Sequence, residues 1–335
     1  MVTVEFDELK YLPLIRKTNE LSKYLLEGSS SPEHFVINLN KITWIDPSGA
    51  VLLIDLIERL KNANNHVEFI PLEATWKPAI SYGLNMGIFQ KLGLSNALSY
   101  EHGETYIAPT KITRQDVFQL GEGQGNSIET YYERLTDLLV KKILRNKNSY
   151  DEKVVRVFTY TIREVIRNIF DHSEADNFYY ASQYIPFHNV VEVVISDNGI
   201  GLVNTIPFDI EEKWMDKDTS EEAIRKALTP GLTAGSNHSY AHQDYKNSGY
   251  GLPIIKRILK ASDGVLSIAT GDCSITFNSH HVIVRDCNIK GTNIRMRINL
   301  SELKSVDPDY EMEEAMKEAK ELGLKTTPSK ASSNW

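Results

Sequence analysis

Val190-Val191-Glu192-Val193-Val194-Ile195-Ser196-Asp197-Asn198-Gly199-Ile200-Gly201-Leu202 is the stretch from which the rest of the chain can be read. Five of its first six residues are Val or Ile, the composition of a buried strand. The run breaks at Ser196-Asp197, and Asp is a poor strand former. Gly199 and Gly201, one residue apart, suit a tight turn where the backbone comes close to something else. The sequence therefore predicts a carboxylate at a buried strand end, followed by a wrapping loop. A carboxylate there can accept a hydrogen bond from a donor-rich planar group such as an adenine amine. A plain strand-to-turn junction is compatible with the same D-x-G-x-G letters, so the flanking segments have to decide.

Upstream, EKVVRVFTYTIREVIRNIFDH predicts a helix over 152–172. Val155, Phe158, Ile162, Val165, Ile166 and Ile169 keep helical spacing and mark a core face. Glu164, Asn168 and Asp171 lie off that face in one stripe. Their hard oxygen atoms suit Mg²⁺, which takes few protein ligands and completes its shell with phosphates and water. Glu is also a candidate base for a water or hydroxyl. A solvated polar stripe would look the same.

Downstream, Asn247-Ser248-Gly249-Tyr250-Gly251-Leu252-Pro253-Ile254-Ile255 is a glycine-rich turn opening into an apolar helix. Backbone N–H groups at such a helix start favour an anion such as a phosphate. Lys246, just before the glycines, is a candidate for reaching a phosphate. Gly291-Thr292-Asn293-Ile294-Arg295-Met296-Arg297-Ile298 then alternates as a strand with Gly-Thr at its entry.

The order E-x-x-x-N, D-x-G-x-G, G-x-G-L, G-T-then-strand resembles the GHKL ATPase superfamily, which includes gyrase B, the ninety-kilodalton heat-shock chaperone, MutL, histidine kinases and related serine kinases. The likeness spans about residues 150–300. It implies an α/β sandwich with a mixed, largely antiparallel sheet backed by helices, and ATP with Mg²⁺ as cofactors. By resemblance, Glu164 is the activating base and Asn168 a Mg²⁺ ligand. Asp171 matches the acidic residue three positions further on. Asp197 is similar to the adenine-binding Asp, with Gly199 and Gly201 as its turn. Gly249 and Gly251 are similar to the phosphate-facing glycines. Thr292 resembles the hydroxyl that completes the adenine site through water.

Before this region, the sequence predicts a helix over 9–27 with Pro13 in its first turn, where proline is tolerated. A strand over 34–39, a helix over 50–60, a strand over 66–71 and a helix over 76–92 follow. Asp46-Pro47-Ser48-Gly49 precedes the first of these two helices. This strand–DxSG–helix–strand–helix order resembles STAS domains, the anti-sigma-factor antagonist family, over about residues 30–95. The second serine of the family's D-S-S-G is retained as Ser48, a candidate phosphoacceptor, whereas Pro47 replaces the first. Ser48 as a simple helix cap is the competing reading. The expected organisation is α+β and α/β: a STAS-like unit over 1–110, a connecting helix region over 111–150, the GHKL-like unit over 151–302, and an acidic helix with a polar tail over 303–335. Asn126 is read as a cap for a helix running to 146. Between the nucleotide boxes, 203–246 is long, polar and suited to a lid, with His238 and His242 beside it. An added hairpin is expected within 275–284.

Composition excludes several classes. The formal net charge of −8 argues against a general nucleic-acid binder. Cys273 and Cys287 fit neither a disulfide framework nor a zinc site. No stretch approaches the apolar length of a membrane span, and the first residues lack a signal-peptide pattern, so a cytoplasmic protein is expected. The expected partners are ATP, a regulatory or STAS-type protein, and a second copy of the chain. Three activities fit: a Mg²⁺-ATP phosphotransferase acting on a serine, a nucleotide-gated switch or dimer clamp with slow hydrolysis, and a nucleotide-binding scaffold. A sensor histidine kinase fits poorly, because no His-Glu acceptor box sits on a dimerisation helix.

Overall fold

The computed structural model describes residues 1–26, 32–94, 105–113, 115–116, 128–144, 151–205, 219–232 and 248–328. The N-terminal unit runs β1 (Val2–Glu5), β2 (Glu8–Leu9), α1 (Tyr11–Glu20), β3 (His34–Asn38), β4 (Trp44–Ile45), α2 (Pro47–Asn62), β5 (His66–Phe69), α3 (Pro78–Asn85) and α4 (Ile88–Lys91). β3 lies between β1 and β5, parallel to both, and β2 pairs with β4. The helix expected over 9–27 is shorter, because Glu8 and Leu9 pair with Trp44 and Ile45. The strand at Val2–Glu5 was not anticipated; four residues give too little alternation to read. The helix expected over 76–92 breaks at Gly87, whose φ of 68° is left-handed.

The second unit contains β6 (Tyr106–Thr113), α5 (Ile128–Ile143), α6 (Glu152–His172), β7 (Asn177–Ile185), β8 (Val190–Asp197), α7 (Ser220–Ala227), α8 (Gly251–Ala261), β9 (Val265–Phe277), β10 (Val282–Asn299) and α9 (Pro308–Glu321). Its five strands stand in the order β6-β7-β8-β10-β9, and every neighbouring pair is antiparallel. The architecture is thus mixed α and β, with one antiparallel sheet and smaller parallel ones. β6 pairs with β7, so this sheet recruits residues that the sequence reading had divided between the first unit and the connecting region. β9 and β10 form one long irregular hairpin rather than a strand with a separate hairpin added. The acidic helix α9 also belongs to the second unit. Met312, Ala315 and Ala319 share the core with Ile254 and Ile258, and Arg257 bonds Glu318.

The period-2 alternation of β8 places the two units. Val191, Val193 and Ile195 join the core formed with α6 and α8, whereas Val194 joins the core of the N-terminal unit. Tyr179, Ala181 and Ala269 do the same on neighbouring strands. A strand apolar on both faces needs cover on both sides, and α1 and α2 supply the second cover. Burying one Val, Leu or Ile contributes about 1.5–3 kcal/mol, so a shared core of this extent holds the units firmly together.

Candidate functional site

One cleft gathers most of the site residues expected from the sequence. Its wall includes Asn168 from α6, Asp197 and Gly201 at the end of β8, Gly249 and Gly251 at the start of α8, and Thr292 on β10. Val165, Ile169, Leu202, Pro253 and Ile294 add apolar surface. About 740 Å³ of space lies between these walls, counting the mouth that opens to solvent.

Asp197 continues the helix-facing parity of Val193 and Ile195, which aims its carboxylate into the cleft. It is only 4% exposed. Its Oδ1 accepts from the Gly199 amide at 2.8 Å. Loss of water pushes its pKa up to about 7, against the pull of the Gly199 and Thr292 amides. That displacement corresponds to roughly 4 kcal/mol against the ionised form. A polar partner inside the cleft would therefore be held strongly.

The glycines are explained by close backbone approaches. A Cβ on Gly199 would overlap the Ser173 carbonyl, the same carbonyl that accepts from the Ile200 amide at 2.8 Å. The loop after β8 is thereby clasped to the end of α6. Gly291 has φ +73°, and a Cβ there would lie 2.6 Å from Asp197 Oδ1 and 2.7 Å from the Gly199 nitrogen. Thr270 Oγ1 donates to the Gly291 carbonyl at 2.7 Å and accepts from the Leu202 amide at 3.1 Å. Ser173, Thr270 and Gly291 thus shape the carboxylate loop. The Gly-Thr strand entry pointed to Gly291; no local sequence signal marks Ser173 or Thr270, because their partners are distant in the chain.

Glu164 lies elsewhere than expected. It is fully buried rather than on a solvated stripe, and it does not line the cleft. Its Oε2 accepts from Arg167 Nη2 at 2.8 Å, and Oε1 sits 3.8 Å from Arg163 Nε. A Cβ on Gly251 would overlap Glu164 Oε2, so the start of α8 rests directly on this carboxylate. Glycine at 251 is therefore required by packing, whatever the helix start binds. A carboxylate at a helix N-terminus is favoured by the helix dipole. An attacking water or hydroxyl reaches Glu164 only if Arg167 or the start of α8 moves.

Asp171 lies in the last turn of α6, but its side chain is outside the described residues, as is Lys246. Of the interval read as a lid, 203–205 and 219–232 are described and carry α7, whereas 206–218 and 233–246, with His238 and His242, fall outside, as does the proposed cap Asn126.

Ser48 is neither exposed nor the cap of α2. The α2 cap is Asp46, whose side chain accepts from the Gly49 amide at 2.7 Å, with Pro47 as the first helical residue. Ser48 is inside the first turn, fully buried, and its hydroxyl donates to Glu192 Oε1 at 3.0 Å. The expected exposed acceptor is therefore sealed beneath the second unit. Glu192 also holds Arg295 through paired bonds of 3.0 Å each, and Arg297 Nε lies 3.6 Å away. Burial, reinforced by the Glu192 charge, pushes the Asp46 carboxyl up to about 7.

Cys273 and Cys287 are buried and form no disulfide, and burial pushes the Cys273 thiol up to about 11. That is the inert state of a structural thiol. Among the described residues, no helix is long and apolar enough to cross a membrane.

No family model, curated protein or solved structure matches this chain.

Proposed function

We propose that this protein binds Mg²⁺-ATP in the cleft between α6, α8 and the Asp197 loop. In this reading it is a GHKL-type protein that hydrolyses ATP or passes its γ-phosphoryl to a hydroxyl of a protein partner. The observation that carries the reading is the convergence of Asn168, Asp197, Gly249, Gly251 and Thr292, scattered over more than a hundred residues, on one cleft. Asp197 would accept from the adenine amine, with Gly199 and Gly201 shaping the loop that holds its carboxylate. Asn168 supplies an oxygen ligand to Mg²⁺, and the backbone N–H groups that open α8 face the phosphates. When bound, Mg²⁺ neutralises phosphate charge. Glu164 serves as base only in a state that releases it from Arg167.

A second reading, an ATP-gated switch, is favoured by the Ser48–Glu192 bond. Glu192 and Asp197 are on the same strand, so one face of β8 grips the N-terminal unit while its end meets the cleft. A shift of β8 on nucleotide binding would be felt at that grip.

Calorimetry with ATP and Mg²⁺ tests the common core of both readings. Asp197→Asn should bind at least about tenfold more weakly, because losing a hydrogen bond to a charged group costs about 1.5–3 kcal/mol. Equal affinity in the two proteins would reject the adenine assignment. Incubation with γ-labelled ATP then separates transfer from hydrolysis: label on a protein hydroxyl supports transfer, whereas free phosphate alone supports hydrolysis, the turnover that a switch also uses.

A further inference from the structure

The outer face of the small parallel sheet carries a second cluster of chemistry, remote from the cleft. Alternation along β3 turns Phe35 and Ile37 into the N-terminal core and leaves His34 on the opposite face. β5 presents His66 and Glu68 on that same open face, two residues apart. The parallel register sets His34 directly beside His66, and Val36 beside Glu68. One donor atom from each of His34, His66 and Glu68 lies within 4.8 Å of the other two. Among the described residues this is the only group of three His, Cys, Asp or Glu side chains brought so close.

We propose that His34, His66 and Glu68 form a binding site for a divalent transition-metal ion of the zinc class. The donor set is two imidazoles and a carboxylate, which suits Zn²⁺ and its neighbours rather than Mg²⁺ or Ca²⁺. Tetrahedral Zn²⁺ with bonds of about 2.0–2.1 Å needs its ligand atoms about 3.3 Å apart. His34 Nε2 and Glu68 Oε2 are already 3.1 Å apart. A His–carboxylate hydrogen bond explains that pair by itself. It does not explain His66, whose ring packs edge-on against His34 with centroids 4.7 Å apart. Drawing in the third donor takes only side-chain rotation, since His66 and Glu68 are exposed and the three backbones are pinned by the strand pairing. Rigid elements of this kind hold ligands better than loops do. Three protein donors leave at least one coordination position for water or for a group on a docking molecule.

The test is titration of the full chain, first stripped with a chelator, with Zn²⁺ in the calorimeter. Wild type should bind one equivalent at this site, and its melting temperature should rise with Zn²⁺ as mass action requires. Loss of an outer-shell partner already costs metal sites about 10–100-fold in affinity, so His34→Ala and His66→Ala should each lose at least about 100-fold. Glu68→Gln, which keeps the shape without the charge, should lose at least about tenfold. Co²⁺ supplies an independent signal: visible absorption of tetrahedral type in wild type, absent from His66→Ala. Should His66→Ala fold poorly by circular dichroism, His66→Gln takes its place. No one-equivalent binding in wild type, or binding that survives loss of either histidine, overturns the proposal.

Discussion

Introducing a charge at Ser48 probes the joint between the two units. In Ser48→Asp the new carboxylate stands where the hydroxyl now bonds Glu192 at 3.0 Å. Like charges about 3–4 Å apart at an effective dielectric of about 20 repel by roughly 4–5.5 kcal/mol. Arg295 and Arg297 offset part of this, since both already lie against Glu192. A net loss of about 3 kcal/mol or more is expected, the scale of an uncompensated buried charge. Ser48→Ala removes one hydrogen bond to a charged group and should cost only about 1.5 kcal/mol, because Arg295 still satisfies Glu192. Urea unfolding of wild type, Ser48→Ala and Ser48→Asp measures both values. Limited proteolysis then asks whether the Asp variant loosens the joint before either unit unfolds. The reasoning is refuted if Ser48→Asp is as stable as Ser48→Ala. The same arithmetic bears on phosphorylation: a phosphoserine carries more charge than Asp, so modification at Ser48 requires the units to part first.

Three other outcomes follow from named geometry. If adenine selects the ionised Asp197, whose pKa lies at about 7, ATP should bind about tenfold more weakly at pH 6 than at pH 8; calorimetry across that range should give a flat profile for Asp197→Asn. Gly291→Ala, with φ +73° and its Cβ pressed on Asp197 and Gly199, should cost about 1–3 kcal/mol of stability in thermal melts, or displace the carboxylate loop and weaken ATP binding; wild-type behaviour in both assays would contradict the described loop. Asp46 has its folded pKa raised from 3.8 to about 7, so its favourable share of stability is complete below the unfolded value and lost as pH rises through about 7. Asp46→Asn keeps an equivalent helix cap and should melt higher than wild type at pH 8, an advantage that vanishes below about pH 4.

The sequence was sufficient for features that depend on local spacing. α6 follows its apolar periodicity over Glu152–His172, and β8 follows its run of branched residues. Turn chemistry at Asp197, Gly199 and Gly201 marked the loop that meets the cleft. These signals are local because backbone conformation and side-chain period are set within a few residues. Tertiary structure alone decided what each face meets. The letters of β8 do not say that Val194 and Glu192 look toward another unit while Val193 and Asp197 look toward the helices. They do not say that Arg167 occupies Glu164, that Gly251 is pressed against it, or that Ser48 is sealed by a residue 144 positions away. Nor does spacing put His34 beside His66, which only the β3–β5 register does. Burial and partnership are properties of the packed surfaces, and two segments remote in sequence reveal them only once both have folded onto the same sheet.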